Sequence, residues 1–430
     1  MLQTMATPMW ILVCSALLAG LLSPAAGVCP YNVTTCTCTG TTLVCRNLED
    51  IPSLVSDNTD GNITDLTFTS SKLNNISSNS LPANLQKLTF SRANITSISS
   101  DAFINSSTTL RSFTMSSLKY PELPDALLNV NNLTELTLSD VPFAHWTSSV
   151  LQHVGKTLGS FVLDNVALYS WPDWLKDFTL LNSLDFSRTN ATSIPEDAFT
   201  KVNNLNSLFL RSTGFDNITN VNAALKPLSK TLRTLDISGN LFTFIPEVVA
   251  DLSTLSKLDV SNNIIQEITS DSIPPQLKEL DASLNVYLTS LKGNSFPNAS
   301  SLEVLNLSGT VLTTISDLAF QPLEHLRELY LNKTNMQTIP LALTDLKNLQ
   351  VLNMDGKHWA CHCPRDDKLV RWYSSRKPLK ASGDCHNYDF TVDYYLSNTT
   401  GKSPCSGYSR VSFSSLLYFC VVMAMGVLAM

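Results

Sequence analysis

The chain has 430 residues, 43% hydrophobic and 15% charged, with a formal net charge of -7. That modest acidity favours solubility and gives no reason to expect a nucleic-acid partner. The six His residues show no metal spacing, and no Gly-x-Ser-x-Gly elbow or phosphate loop occurs, so neither catalysis, a metal nor another cofactor is expected.

In chain order, the first predicted element is an apolar run from Trp10 to Leu22, too short to span a bilayer and followed by the small residues Ala25-Ala26-Gly27. This predicts a secretory signal peptide over 1–27 and a mature chain starting near Val28. Cys29-Pro30, Cys36-x-Cys38 and Cys45 come next and define a cysteine-rich segment over 28–62. Four cysteines allow three connectivities. Zinc is the competing reading of such pairs, but zinc modules use wider ligand spacings and belong to reducing compartments.

From residue 63 to 356 the pattern L-x-x-L-x-L recurs thirteen times at spacings of 22 to 27, with first positions at Ile63, Leu85, Leu110, Leu133, Leu158, Leu181, Leu205, Leu232, Leu255, Leu277, Leu302, Leu326 and Leu349. Positions 1, 4 and 6 alternate with polar residues, as in a strand that buries one face. A period in the twenties is that of leucine-rich repeats, whose units bury their apolar faces only by stacking. The predicted fold is α/β: a leucine-rich-repeat solenoid, curved, with a parallel sheet on its concave face. Length alone would allow two or three domains, yet one continuous repeat makes one elongated domain.

Later apolar positions, such as Ile95 and Ile98 or Leu312 and Ile315, turn the chain back under the strand, and Phe103, Phe199, Phe296 and Phe320 are expected to stack inside the convex side. At position 9 only Asn240, Asn263 and Asn285 carry an amide able to satisfy the bend. Thr189, Thr213, Thr310 and Thr334 can substitute through their hydroxyls, whereas Leu118, Val141 and Val166 cannot. The stretch from Leu110 to Trp171 is therefore expected to be the least regular.

Side chains at positions 2, 3, 5, 7 and 8 should leave the concave sheet. Position 5 carries Asp185, Asp236, Asp259 and Asp281, with Phe209 set among them and Tyr330 beyond. Asn-x-Ser/Thr acceptor triplets begin at Asn32, Asn62, Asn75, Asn94, Asn105, Asn132, Asn190, Asn217, Asn298, Asn306, Asn332 and Asn398, which fits an exported glycoprotein. A sugar on Asn306 or Asn332 would obstruct the concave face, while none is encoded between Asn217 and Asn298. The open strip thus carries Arg233, Asp236, Lys257, Asp259, Lys278, Glu279 and Asp281. It is the expected site for a protein partner, although the Asp column can equally be a solvated face.

A second cysteine-rich segment over 357–405 holds Cys361-x-Cys363, Cys385 and Cys405, and its cations Lys357, Arg365, Lys368, Arg371, Arg376, Lys377 and Lys380 surround Trp372-Tyr373. The helix there should bury Leu369, Trp372 and Tyr373 and leave its cations solvated; contact with anionic headgroups is the alternative. Residues 406–430 close with fifteen apolar residues, Leu416 to Met430, after a polar spacer. This suits a glycosylphosphatidylinositol signal with attachment at Ser406, against a membrane helix starting near Val411.

The two cysteine segments closely resemble the N- and C-terminal caps of extracellular leucine-rich-repeat proteins. The resemblance implies bridges Cys29 to Cys38, Cys36 to Cys45, Cys361 to Cys385 and Cys363 to Cys405. Lys357-His358-Trp359 stands where that family often has Asn-Pro-Trp, and Trp359 is retained to cover the last repeat. The whole chain resembles the capped, lipid-anchored members of the family, such as the Nogo receptor, variable lymphocyte receptors and chaoptin. This implies a non-catalytic glycoprotein on the outer face of the plasma membrane, engaging an extracellular protein ligand or co-receptor and signalling only through a partner. A structural surface-coat or matrix role is the alternative.

Overall fold

The computed structural model describes residues 29–31, 33–55, 63–143, 145–215, 217–356, 358–376, 379–386 and 388–397. The expected signal peptide, the tail, Ser406, Cys405, Lys357, Lys377, Asn32, Asn62 and Asn398 lie outside them. The chain divides into two compact units, one ending at Ala167 and the other starting at Leu168.

In the first unit, Cys36–Thr39 and Thr42–Arg46 form an antiparallel hairpin through Gly40. Thr42–Arg46 then pairs in parallel with Asp65–Thr69, and Lys87–Ser91, Ser112–Ser116, Glu135–Ser139 and Ser160–Asp164 follow in order. Register places Leu66, Leu88, Phe113, Leu136 and Phe161 side by side, all buried, with Phe68 and Phe90 rings stacked 5.7 Å apart in the next layer. Each repeat therefore completes its neighbour's core, which no single repeat could do.

The second unit continues the same build. Ser183–Ser187, Ser207–Phe209, Thr234–Asp236, Lys257–Asp259, Glu279–Asp281, Val304–Asn306, Glu328–Tyr330, Val351–Asn353 and Lys380–Ala381 pair in parallel. Return segments are short 3-10 turns, joined by the α-helices Ser148–Val154 in the first unit and Ile218–Leu225 in the second. The four Phe residues of the predicted convex spine are all buried. Of these, Phe103 meets the strand residue Phe113 at 5.3 Å between ring centroids and Phe199 meets Trp171 at 5.4 Å.

All thirteen repeats bend at position 8. There the backbone is left-handed, with φ of 50 to 59° at ten residues from Ser70 to Lys333, and Gly239, Gly309 and Gly356 fill the remaining three places. Within each unit the N–H at this position donates to the position-7 carbonyl of the next repeat at eleven of these places, as from Ser117 to Ser139 (2.8 Å), Asp140 to Asp164 (3.0 Å) and Asn262 to Ser283 (2.9 Å). The bend is thus made by the backbone itself. This corrects the expectation of irregularity beyond Leu110: Ser112–Ser116, Glu135–Ser139 and Ser160–Asp164 stay in register over five residues each, with Leu118, Val141 and Val166 simply buried.

Asparagine at position 9 adds a second tie. Asn263 Nδ2 donates to Ile237 and Val260 carbonyls at 3.0 Å each and its Oδ1 accepts from Phe242 N at 3.1 Å; Asn240 and Asn285 make equivalent sets. The Thr substitutes differ among themselves: the Thr213 hydroxyl donates across to Asn240 Oδ1 in the next repeat at 2.8 Å. Thr310 and Thr334 donate only within their own repeat, to Leu307 (2.8 Å) and Leu331 (2.9 Å), and the buried Thr189 hydroxyl has no hydrogen-bond partner.

Both ends of the array are closed covalently. Cys29 is bonded to Cys38, Cys36 to Cys45 and Cys361 to Cys385, and Cys363 is also disulfide-bonded, its expected partner lying outside the described residues. Trp359 is fully buried and donates its indole N–H to Met354 O at 2.8 Å. Helix Asp367–Ser374 starts from the Asp366 side chain, which accepts from the backbone of Lys368 and Leu369. It buries Leu369, Trp372 and Tyr373, with Trp372 donating to Leu346 O at 3.0 Å.

Candidate recognition face

Strict parallel register turns position 5 into a row across the second unit. Asp185, Phe209, Asp236, Asp259, Asp281, Asn306, Tyr330 and Asn353 are consecutive register partners. Neighbouring strands lie about 5 Å apart, so three adjacent carboxylates repel one another unless paired.

Their neutralisation is uneven. Arg211 spans Phe209, its guanidinium 2.5 Å from Asp185, 3.7 Å from Asp236 and stacked 5.2 Å above the ring. Asp281 accepts a hydrogen bond from Asn306 Nδ2 at 2.8 Å. Asp259, between them, makes no ion pair within 4 Å among the described residues and accepts only from Ser261. Burial, and then the charges of Asp236 and Asp281, push its carboxyl above the usual Asp range.

Both lysines of the strip are already engaged. Lys257 lies 2.8 Å from Glu279 and Lys278 3.0 Å from Glu303, while Arg233 is exposed with no ion pair among the described residues. The strip of mixed charge therefore combines two lysine–glutamate pairs with an unpaired Arg233 and with Asp259, a carboxylate that has neither a cation nor an amide donor from a neighbouring strand among the described residues. Phe209 is half-buried beneath Arg211, and Tyr330 donates its hydroxyl to Glu328 at 2.7 Å. Arg211 escaped the reading of the sequence, although its signal was present: it is the one cation at position 7, where every other repeat has Ser, Thr, Asn or Asp.

At the leading edge of the same sheet a cavity of about 440 Å³ is lined by Lys278, Glu303, His325, Arg327 and Gln350. Glu303 is held below the usual range by the Lys278 hydrogen bond, with Arg327 at 3.8 Å. Among the acceptor asparagines, Asn75, Asn94, Asn105, Asn132, Asn190, Asn217 and Asn298 are exposed, and Asn306 and Asn332 are half-buried. In the C-terminal segment Arg365 donates to the Tyr395 and Ser397 carbonyls and Arg376 to Lys347 O, so these two cations brace the chain while Lys368, Arg371 and Lys380 face solvent. Among the described residues no cluster of three potential ligands could hold a metal, and no helix is long and apolar enough to cross a membrane.

Comparison with known proteins agrees with the repeat fold. The family described as Leucine rich repeat matches residues 275–336, and that described as BspA type Leucine rich repeat region (6 copies) matches 37–143 and 176–275. Similar curated proteins include Tsukushi of Gallus gallus, 28% identical over 41% of this chain and 47% of its own length. CD180 antigen of Mus musculus is 30% identical over 42% of this chain and 28% of its own. Transforming growth factor beta activator LRRC33 of Danio rerio is 28% identical over 39% and 26%. The chain thus spans half or less of the length of these relatives.

Among solved structures, a leucine-rich-repeat protein of Leptospira interrogans superposes with a TM-score of 0.57 at 20% identity, covering 75% of this chain and 90% of that one. TLR13 in its complex with ssRNA13 gives 0.55 at 18%, covering 79% and 54%. These likenesses concern the fold. Repeat period, register and cysteine pairing converge with them: this chain is a leucine-rich-repeat protein with a two-disulfide N-terminal cap and a C-terminal disulfide.

Proposed function

We propose that this protein is a non-catalytic cell-surface glycoprotein that recognises an extracellular protein partner through the sheet face formed by the Leu232, Leu255 and Leu277 repeats. The observation that carries this reading is the unpaired, half-buried carboxylate of Asp259, in register between Asp236 and Asp281. A Lys or Arg side chain from a partner would relieve that repulsion, and the engaged lysines around it leave the row net negative. Disulfide-bonded ends fit an oxidising, secretory compartment. The apolar C-terminal run supports lipid attachment at Ser406.

A glycan wedge tests the face. Asp259→Asn with Ser261→Thr keeps Val260 between them and creates an acceptor triplet on the strand. The fluorescently labelled chain released from cells should lose binding to partner-bearing cells by tenfold or more, while secretion and cooperative thermal unfolding are retained. Binding at wild-type level by a glycosylated, folded double variant would refute the reading. Attachment is checked separately: phosphatidylinositol-specific phospholipase should release the protein from intact cells, and recovery of a surface peptide containing Met430 would exclude the lipid anchor.

A further inference from the structure

The side chains just past the sheet, at position 10, carry a second surface of different chemistry. Leu241, Ile264 and Val286 occupy this position in three successive repeats, directly after the buried amides of Asn240, Asn263 and Asn285. Leu241 and Val286 are 51% and 53% exposed, with Ile264 part-buried in the repeat between them, and Phe244 and Tyr287 of the same two outer repeats are 49% and 58% exposed. Single exposed apolar residues need no explanation, but a contiguous row of them does.

The row is held together by the asparagine ties. Phe242 N and Ile265 N donate to Asn263 and Asn285 Oδ1 at 3.1 and 3.0 Å, and Ile264 N donates to Phe242 O at 3.1 Å. Three corners are thereby fixed side by side, so their outward side chains form a preorganised strip, and little conformational entropy remains to be lost on contact. Glycan placement gives an independent observation. No acceptor triplet occurs between Asn217 and Asn298, the interval that contains the strip, in a chain that has twelve elsewhere. Charge placement agrees as well: Glu267, three residues past Ile264, is already paired with Lys292 at 2.7 Å.

We propose that this strip is where two copies of the chain associate side by side. An uncharged apolar row can meet itself about a two-fold axis without opposing like charges, which is the requirement for an isologous contact. Half-exposed side chains of this size each show on the order of 100 Å². Four per copy give a symmetric contact of roughly 800 Å², the size of a weak, reversible association. The sheet face and its Asp259 row stay open in such a pair, because position 10 lies past the bend while position 5 precedes it.

Sedimentation velocity on the purified full chain, over the micromolar range, tests this. The wild type should show a reversible monomer-to-dimer equilibrium. Leu241→Asn completes an acceptor triplet with the existing Thr243, and both its glycan and the separate change Val286→Asp should weaken dimerisation at least tenfold with secretion and thermal unfolding retained. Asp259→Lys, on the sheet face, should leave dimerisation as in the wild type. A wild type that stays monomeric overturns the proposal, and so does a dimer that Val286→Asp does not weaken. Should the glycosylated variant fail to fold, the Val286 variant decides, since that side chain is half exposed.

Discussion

Arg211 pairs with Asp185 across the ring of Phe209, its guanidinium 2.5 Å from the carboxylate and 5.2 Å above the ring centroid. Asp236 shares the same cation at 3.7 Å, so one side chain from position 7 neutralises two members of the position-5 row. The pair is partly exposed, with Arg211 side-chain exposure of 41%, and solvent screening keeps each contact modest. Arg211→Met should lower stability by about 1 kcal/mol. Urea denaturation checks this, and the loss should shrink in high salt; an unchanged midpoint would show that the bridge is ornamental.

Asp259 predicts a pH dependence of opposite sign to an ordinary salt-bridged carboxylate. Its folded-state pKa is raised by burial and by its two neighbours, so the ionised form is disfavoured in the folded protein. Its contribution to stability is fully present below the unfolded Asp pKa and is lost as pH rises through the raised folded value. Asp259→Thr should therefore be more stable than wild type at neutral pH, and the two unfolding curves should converge once pH falls below the ordinary Asp range. Greater stability of the wild type at neutral pH would contradict the assigned cause.

The position-9 ties are not equivalent. Asn263→Ala leaves the Ile237 and Val260 carbonyls and the Phe242 N–H without this amide, all in the buried interior, and should cost about 3 kcal/mol. Thr189→Val removes a buried hydroxyl that has no partner while keeping its shape, and should stabilise by about 1 kcal/mol. Thermal melts of the two variants should move in opposite directions.

At the bend, Gly309 has φ of 67° and a Cβ added there would lie 2.6 Å from a Leu284 side-chain carbon, which can swing aside. Gly383 has φ of 107° and its added Cβ would lie 2.7 Å from the Met354 carbonyl oxygen, which is backbone and cannot. Gly309→Ala should cost about 1 kcal/mol and Gly383→Ala at least about 2 kcal/mol. Chemical denaturation gives the order; equal losses would mean that the backbone at Met354 yields.

Loss of the C-terminal bridge should be more severe. Cys385→Ser breaks the link to Cys361 beside the buried Trp359, removing about 2 to 4 kcal/mol and opening the apolar end of the array. Secretion should fall sharply in a pulse-chase measurement, and normal export of the variant would show that the bridge is dispensable.

The linear sequence determined which residues are buried, because Leu235, Leu258 and Leu280 fill the same position of a repeat and each repeat must hide that face against the next. It also determined the alternation that sends Asp236, Asp259 and Asp281 to the other side of the strand. Even the bend had a trace, in the glycines that recur at position 8 in Gly239, Gly309 and Gly356. Pairing between side chains was left to tertiary structure. Arg211 reaches Asp185, 26 residues earlier, and Asp236, in the following repeat, only because parallel register sets strands about 5 Å apart, well within the reach of one guanidinium. The same spacing decided that Asp259 lacks a cation, that Leu118, Val141 and Val166 bend as regularly as the asparagines, and that Leu241, Ile264 and Val286 stand as one row. Periodicity specifies what each repeat contains; the stacking distance selects which of its side chains meet.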